Sequence, residues 1–176
     1  LKELVISLGG DDKVESTNPE VVMVGDQFAR VGDYITAQAQ YKAAFELNPK
    51  SGVAAYKAAK SLWQLNQTRE AINWLDKAVK ADPDYLQAYI LKADYESQKY
   101  NFAGAQKTLN AAVSHFSQSH ELSKAQALLE FRKNNMYAAI QFGERALKMY
   151  DADVELLTLM AQADIYIYLN APSKSK

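Results

Sequence analysis

Apolar stripes that alternate with polar faces recur along the chain, and they are clearest between residues 52 and 85. In the second half of this stretch Ala71, Leu75 and Ala78 recur at helical spacing, while charged residues such as Arg69 and Lys80 take the other side. The first half has its own stripe, made of Ala55, Ala58, Ala59 and Leu62. The pattern predicts two amphipathic helices joined by a polar turn, and neither helix can bury its apolar face alone.

The same pattern returns at an interval of 34 residues. The triplet of the second helix recurs at Ala37, Tyr41 and Ala44, at Ala105, Leu109 and Ala112, and at Ala139, Gly143 and Ala146. Small residues in the first helix keep the same interval, at Gly25, Ala59, Ala93, Ala127 and Ala161. Neighbouring helices approach to about 8–10 Å, so alanine or glycine is needed where their backbones come closest. The interval therefore predicts a stack of packed helix pairs.

On these residues the chain resembles the tetratricopeptide repeat family, whose period is 34 residues of helix, turn and helix. The resemblance covers about residues 18 to 170, and Gly32 stands at the family's turn glycine. It implies an all-α fold, a right-handed α-solenoid of stacked helix-turn-helix repeats. The predicted units are a partial N-terminal helix and linker (1–17), four repeats (18–51, 52–85, 86–119 and 120–153), a C-terminal helix that forms a half repeat or cap (154–170) and a tail (171–176).

Asn18, Ser51 and Asp84 stand where N-caps belong for the first helices that follow them. The third repeat is divergent, because it places Lys92 and Glu96 where the family prefers apolar residues.

The fourth repeat is divergent in its frame. Its best apolar stripe, at Leu122, Ala125 and Leu129, lies one residue out of the frame set by Ala139 and Ala146. A one-residue shift through a longer turn between residues 116 and 120 would reconcile the two.

Composition excludes several classes of protein. With 48% hydrophobic residues and a formal net charge of -1, the chain is long and apolar enough to bury a substantial core. It carries no block of like charges, which argues against nucleic acid as a partner, since such binding depends on clustered Lys and Arg. No stretch approaches the roughly 20 apolar residues of a membrane span.

The compartment stays open between cytoplasm and periplasm. The absence of cysteine excludes disulfides and thiol chemistry. It slightly favours an exported protein, because exported proteins avoid stray thiols. Because the sequence begins with Leu1, we expect a processed protein or a fragment of a longer one.

Catalytic chemistry finds little support. The two histidines, His115 and His120, are five residues apart and do not share a helix face, so they are interpreted as part of a polar turn and not as metal ligands. The acidic segments at 11–12, 82–84 and 151–153 are without the glycine and the distant glutamate of a calcium loop. We predict no catalytic residue, no metal site and no cofactor.

The resemblance implies that first helices line a concave groove in which peptides or helices bind. Its groove positions are carried onto Val22, Asp26, Arg30, Tyr56, Lys60, Trp63, Gln64, Ile90, Asp94, Gln98, Lys124, Leu128, Phe131 and Arg132. Tyr56 and Trp63 are the predicted aromatic anchors. The alternative is that Trp63 folds back over the neighbouring unit and Tyr56 packs against Lys60.

One subtype of the family grips a terminal carboxylate with lysine, asparagine and arginine at fixed places in its first helices. Those places hold Val22, Asp26, Lys57, Gln87 and Leu91 here, so most of the clamp is missing. This argues against a receptor for chaperone tails.

The predicted C-terminal helix ends in an apolar turn with no polar face, which includes the candidate self-association residues Ile165, Tyr166, Tyr168 and Leu169. Since a terminal repeat should be polar outside, this end needs a cover: a missing second helix, a second protomer or a partner protein.

Three functions follow as hypotheses. The first is a non-enzymatic scaffold that binds a peptide or helix of a partner protein in the groove. The second is an assembly factor that forms a homo-oligomer through the C-terminal helix, by family-level analogy with bacterial secretion or pilus machines. The third is the recognition arm of a larger multidomain protein.

Overall fold

The computed structural model describes residues 19–171, and within that range the chain is entirely helical and loop. Its helices are α1 (Pro19–Arg30), α2 (Tyr34–Leu47), α3 (Gly52–Gln64), α4 (Thr68–Ala81), α5 (Leu86–Gln98), α6 (Phe102–Val113), α7 (His120–Arg132), α8 (Met136–Leu147) and α9 (Val154–Asn170). Successive helices pack in chain order, with α5 also against α7 and α9 against both α8 and α7. The predicted all-α stack of helix-turn-helix repeats is confirmed. The predicted N-terminal helix, the Asn18 cap and most of the tail lie outside the described residues.

First helices begin at a constant interval, at Gly52, Leu86, His120 and Val154. Three have side-chain N-caps: Ser51 accepts a bond from the Ala54 amide at 3.2 Å, Ser119 from Leu122 at 3.1 Å and Asp153 from Leu156 at 3.0 Å. The predicted cap at Asp84 is wrong, because the interval places the cap one residue later. Tyr85 takes that position and makes no side-chain cap bond.

The turn inside each repeat places one residue in the left-handed region, at Gly32 (φ 83°), Asn66 (59°), Tyr100 (59°) and Asn134 (65°). Glycine adopts this conformation freely and asparagine tolerates it, whereas a bulky side chain such as Tyr100 does so at a cost. Of these four residues, Gly32 alone is predicted as a turn residue by the family resemblance.

The fourth repeat keeps the common frame, so the predicted one-residue shift between 116 and 120 is wrong. Leu122 and Leu129 are buried with Leu109 of the preceding repeat. Ala127 is buried on another face of α7, in a cluster with Ala146. The apparent one-residue offset of the apolar stripe therefore arises because α7 buries two different faces, and each face has its own apolar positions.

The small residues that recur in the first helices at 34-residue intervals allow neighbouring helices to pack closely at four of the five predicted positions. At Gly25 an added Cβ would lie 2.6 Å from Cε1 of Tyr41, and Ala59, Ala93 and Ala127 are buried. Ala161 is exposed, contrary to the prediction. The reason is that no helix of the described chain follows α9 to cover that face.

The polar pair of the third repeat is built into the stack. Lys92 Nζ lies 2.9 Å from a carboxylate oxygen of Asp76 in α4, and the Thr108 hydroxyl donates to Glu96 at 2.8 Å. Since a buried polar group is costly only when it is unsatisfied, these bonds account for polar residues at apolar positions.

Candidate functional site

Two hollows lie along the first helices. The N-terminal hollow, of about 520 Å³, is formed mainly by α1 and α3 and is lined by Asp26, Ala29, Arg30, Tyr34, Tyr41, Tyr56, Lys57, Lys60, Ser61 and Gln64. The C-terminal hollow, of about 620 Å³, is formed mainly by α5 and α7 and is lined by Tyr56, Gln87, Ile90, Leu91, Ala93, Asp94, Ser97, Leu109, His120, Glu121, Lys124, Ala125, Leu128, Leu129, Arg132, Tyr150 and Asp153. Tyr56 borders both hollows, so they are adjacent.

Asp26 organises the N-terminal hollow. Its carboxylate accepts hydrogen bonds from the Tyr41 hydroxyl at 2.7 Å and from Lys57 Nζ at 2.6 Å. Burial raises the pKa of Asp26, but the bonds from Lys57 and Tyr41 outweigh burial and leave that pKa below its ordinary value. Lys57 is therefore held by a carboxylate, while Arg30 and Lys60 are exposed at the edge of the hollow.

Tyr56 is half-buried between neighbours. Its ring meets Tyr85 edge to face, with centroids 5.3 Å apart, and Lys60 Nζ lies 5.7 Å from its ring centre. Burial raises the pKa of the Tyr56 hydroxyl. Tyr56 therefore packs against Lys60, as the alternative predicted, and still borders both hollows.

Trp63 lies away from the hollows. Its ring stacks on Tyr95 of the next repeat, with centroids 3.7 Å apart and planes 11° apart, and Lys99 Nζ lies 5.6 Å from it. Trp63 thus joins α3 to α5, which is the alternative in which it folds over the neighbouring unit.

An apolar floor and a fixed ion pair form the C-terminal hollow. Ile90, Leu91 and Leu128 are half-buried and face it. Arg132 Nη1 lies 2.6 Å from Asp94 Oδ1 and also donates to the Ser97 hydroxyl. The guanidinium is thereby held in one position beside the apolar floor.

The far end of this hollow is held by Asp153. Its carboxylate lies 2.9 Å from Lys124 Nζ and 2.9 Å from His120 Nε2, and it caps α9 through the Leu156 amide. Burial raises the pKa of Asp153, but these three bonds outweigh burial and bring it to about 2. The carboxylate is therefore ionised at neutral pH.

The hollows bring together ten of the fourteen predicted groove residues: Asp26, Arg30, Tyr56, Lys60, Gln64, Ile90, Asp94, Lys124, Leu128 and Arg132. The other four, Val22, Trp63, Gln98 and Phe131, line neither hollow.

Sequence reasoning missed several lining residues, among them Tyr34, Leu91, His120, Tyr150 and Asp153. His120 and Asp153 could have been found from the repeat interval, which places a helix start and the next N-cap side by side. Tyr150 lies in a loop, where the helical pattern gives no signal.

The C-terminal helix exposes much of its apolar surface. The exposed fractions are 59% for Ile165, 41% for Tyr166, 80% for Tyr168 and 72% for Leu169. These four predicted residues are therefore accessible for contact.

Residues 19–171 hold neither a cluster of metal-ligating side chains nor a helix suited to cross a membrane. Within this range no three His, Asp or Glu side chains group as metal ligands, and His115 instead lies 3.3 Å from Asp84. No helix in the same range has the length and apolar character to cross a membrane.

Two family models of the tetratricopeptide repeat match the amino-acid sequence, one over residues 29–95 and the other over residues 90–154. A curated relative, the tetratricopeptide repeat and J domain-containing co-chaperone DNJ1 of Cryptococcus neoformans, is 23% identical over 141 residues. That match covers 74% of this chain but only 27% of the relative, so the chain spans about a quarter of its length.

Solved structures share the fold at low identity. Pseudomonas aeruginosa pilF superposes with a TM-score of 0.73 at 15% identity, covering 87% of this chain and 68% of that one. The first TPR of Spaghetti (RPAP3), bound to the HSP90 peptide SRMEEVD, gives a TM-score of 0.61 at 16% identity over 69% of this chain and 96% of that one.

Proposed function

Because the chain belongs to the tetratricopeptide repeat family, we propose that it is a non-enzymatic scaffold that binds a peptide or helix of a partner protein along its first helices. Members of this family are generally interaction modules and not enzymes. The observation that carries the proposal is the C-terminal hollow, in which an open apolar floor lies beside charged groups that are already fixed.

The apolar floor supplies the binding energy. Ile90, Leu91 and Leu128 leave part of their surface open to solvent in a cleft of about 620 Å³. That volume lies within the roughly 300–1,000 Å³ typical of ligand clefts. Apolar side chains of a partner would bury this surface at about 25 cal/mol per Å².

The fixed charges supply orientation. Arg132 is held by Asp94, and Lys124 by Asp153 and Glu155 at 2.9 and 2.8 Å. Side chains that are already ordered lose little freedom when a partner binds, so more of the contact energy appears as affinity. The partner would therefore carry apolar anchors flanked by polar groups.

The N-terminal hollow extends the same surface. Arg30 and Lys60 are exposed at its edge, while the nearby Lys57 is neutralised by Asp26 at 2.6 Å. A partner that runs from the C-terminal hollow across Tyr56 would reach these two cations, so we expect an acidic residue at that end of the bound segment.

The RPAP3 neighbour holds an HSP90 peptide, which is a precedent for a peptide bound on this fold. Here Asp26 stands at a place where the clamp subtype has a basic or amide residue. Its carboxylate accepts a hydrogen bond from Lys57, so this lysine is already paired. We therefore do not extend that ligand to this chain and expect an internal segment of a partner, not a free carboxyl terminus.

Selection of a displayed library of random twelve-residue peptides on the protein would test the proposal. Hydrogen exchange is then measured with and without a selected peptide. We expect slower exchange in α5 and α7 where they border the C-terminal hollow. Slowing confined to α4, α6 and α8, with no change in α5 and α7, would overturn the proposal.

A larger parent protein is a second candidate. The curated relative is about four times as long as the segment matched, and its name includes a J domain in addition to the repeats. The repeats of this chain would then be the recognition arm of a multidomain protein. Sequencing of the flanking coding region tests this, since it either encodes another domain in the same frame or a stop.

A further inference from the structure

One side of α9 packs on the stack and the opposite side is bare. Leu156 and Ala163 are buried, and Leu156 clusters with Ala127 and Ala146 of the fourth repeat. On the opposite side, apolar residues recur at spacings of three and four residues, which places them on one helix face. This bare stripe consists of Val154 (72% exposed), Leu157 (45%), Ala161, Ile165 (59%) and Tyr168 (80%).

The repeat interval shows what kind of element covers this face elsewhere. Leu157, Ala161 and Asp164 correspond to Ser123, Ala127 and Glu130, all of which are buried in the fourth repeat. There the second helix supplies the cover: Ala127 clusters with Ala146, and the N-cap residue Asn135 donates to Glu130 at 2.8 Å. Leu157 and Ala161 of the bare stripe thus lie at positions that an antiparallel second helix covers in the fourth repeat.

We propose that two copies of this chain pair through α9, so that each α9 takes the place of the second helix for the other. A two-fold axis through Ala161 makes the two helices antiparallel, which is the orientation that the first and second helices have within a repeat. Such an isologous contact is closed and completes both half repeats at once.

The stripe is self-complementary about Ala161. In the antiparallel pair, Ala161 lies level with its own counterpart, where two small side chains let the backbones approach closely. Four residues to either side, Leu157 lies level with Ile165 of the second copy. Seven residues to either side, Val154 lies level with Tyr168. Each level outside the centre therefore joins two large apolar side chains.

Charge does not oppose this pairing. Asp164 lies at the edge of the bare stripe, three residues from Ala161. The two-fold axis separates the two Asp164 positions by six residues along the pair, which is about 9 Å at 1.5 Å per residue. The carboxylates therefore do not face each other.

The position of each candidate residue on α9 refines the self-association surface. Ile165 and Tyr168 belong to the bare stripe, whereas Tyr166 and Leu169 lie to one side of it because each step along a helix turns about 100°. We therefore expect the first two to carry the contact. The pair would be weak and concentration-dependent, since one helix pair buries less than the roughly 800 Å² per partner of a standard interface.

Because the chain has no cysteine, a single introduced thiol gives a specific test. In the proposed pair, Ala161→Cys places two thiols opposite each other at the two-fold axis, within reach of a disulfide. Under mild oxidation at micromolar concentration, we expect it to cross-link at least tenfold faster than the control Lys107→Cys, an exposed site on α6. Equal rates for the two variants would overturn the proposal.

Solution mass by light scattering across a dilution series gives a second, independent readout. We expect a monomer–dimer equilibrium for the unmodified chain and a monomer for Ile165→Asp, whose exposed position allows the change without loss of the fold. A monomer at all concentrations, a dimer unaffected by Ile165→Asp or an open series of larger species would each contradict pairing through the bare stripe.

Discussion

Arg132 in α7 donates to the carboxylate of Asp94 in α5, 38 residues earlier in the chain, at 2.6 Å. This pair ties together the two helices that form the C-terminal hollow, and it fixes the guanidinium beside the apolar floor. A change in this pair would therefore affect the stability of the fold as well as the proposed binding site.

The Arg132 and Asp94 pair should contribute to stability as a coupled unit. Arg132→Met and Asp94→Asn are each expected to lower the free energy of unfolding by about 1 kcal/mol, because both partners are only partly exposed. A double-mutant cycle in urea unfolding measures the coupling. Strict additivity of the two changes would show that the ion pair contributes nothing.

Asp153 should make the free energy of unfolding depend on pH in the acidic range. Its pKa falls from an ordinary 3.8 to about 2 in the folded chain, so its contribution is present above pH 4 and is lost as pH falls through about 2. Asp153→Asn keeps an N-cap but removes the charge, and it should cost roughly 1–2 kcal/mol at pH 7. The cost should shrink towards pH 2.

Thermal unfolding followed by circular dichroism between pH 7 and pH 2 measures that loss. Asp151→Asn, an exposed neighbour in the same loop, is the control and should change little. A cost of Asp153→Asn that is independent of pH would contradict this account of Asp153.

Trp63 should act through stability. Its ring stacks on Tyr95 at 3.7 Å, so Trp63→Ala removes an inter-repeat contact and is expected to cost roughly 2–4 kcal/mol. Trp63→Phe retains an aromatic ring and should lose less than half as much. Urea unfolding measures both. Unchanged stability of Trp63→Ala would instead support a role as a free binding anchor.

The left-handed turn position should respond to residue type in opposite directions. Tyr100→Asn places there the residue found at Asn66 and Asn134, and it is expected to raise the free energy of unfolding by up to about 1 kcal/mol. Gly32→Ala should lower it by about 1 kcal/mol, since φ is 83°. Denaturant midpoints of the two variants should therefore shift to opposite sides of the parent, and a shift in the same direction would contradict the assignment.

The repeat interval was enough to predict the fold. Ala59, Ala93 and Ala127 are buried as predicted, because the same steric need recurs wherever two helices cross. Ala161 has the same residue type at the same interval and yet is exposed. A sequence pattern identifies a surface suited to packing, but it does not show whether another helix is present to cover it.

The candidate site was less predictable, because side-chain partners decide it. The residue type of Trp63 predicts an aromatic anchor for a partner, but its ring stacks on Tyr95 of the next repeat instead. Conversely, the sequence pattern predicts that His120 is part of a polar turn, whereas in the structure Asp153 holds it at the edge of the C-terminal hollow. Both outcomes depend on contacts between repeats, and the periodicity within one repeat does not predict such contacts.

The central claim is that a partner binds in the C-terminal hollow, and the affinity of a selected peptide for three forms of the protein tests it most directly. Leu128→Glu places a charge on the apolar floor, and Tyr137→Glu makes a similar change at an exposed site on α8 that borders neither hollow. By fluorescence anisotropy at equal ionic strength, we expect Leu128→Glu to weaken binding at least tenfold and Tyr137→Glu to change it less than twofold. Equal affinity of all three forms, with the fold of each verified by circular dichroism, would contradict the claim.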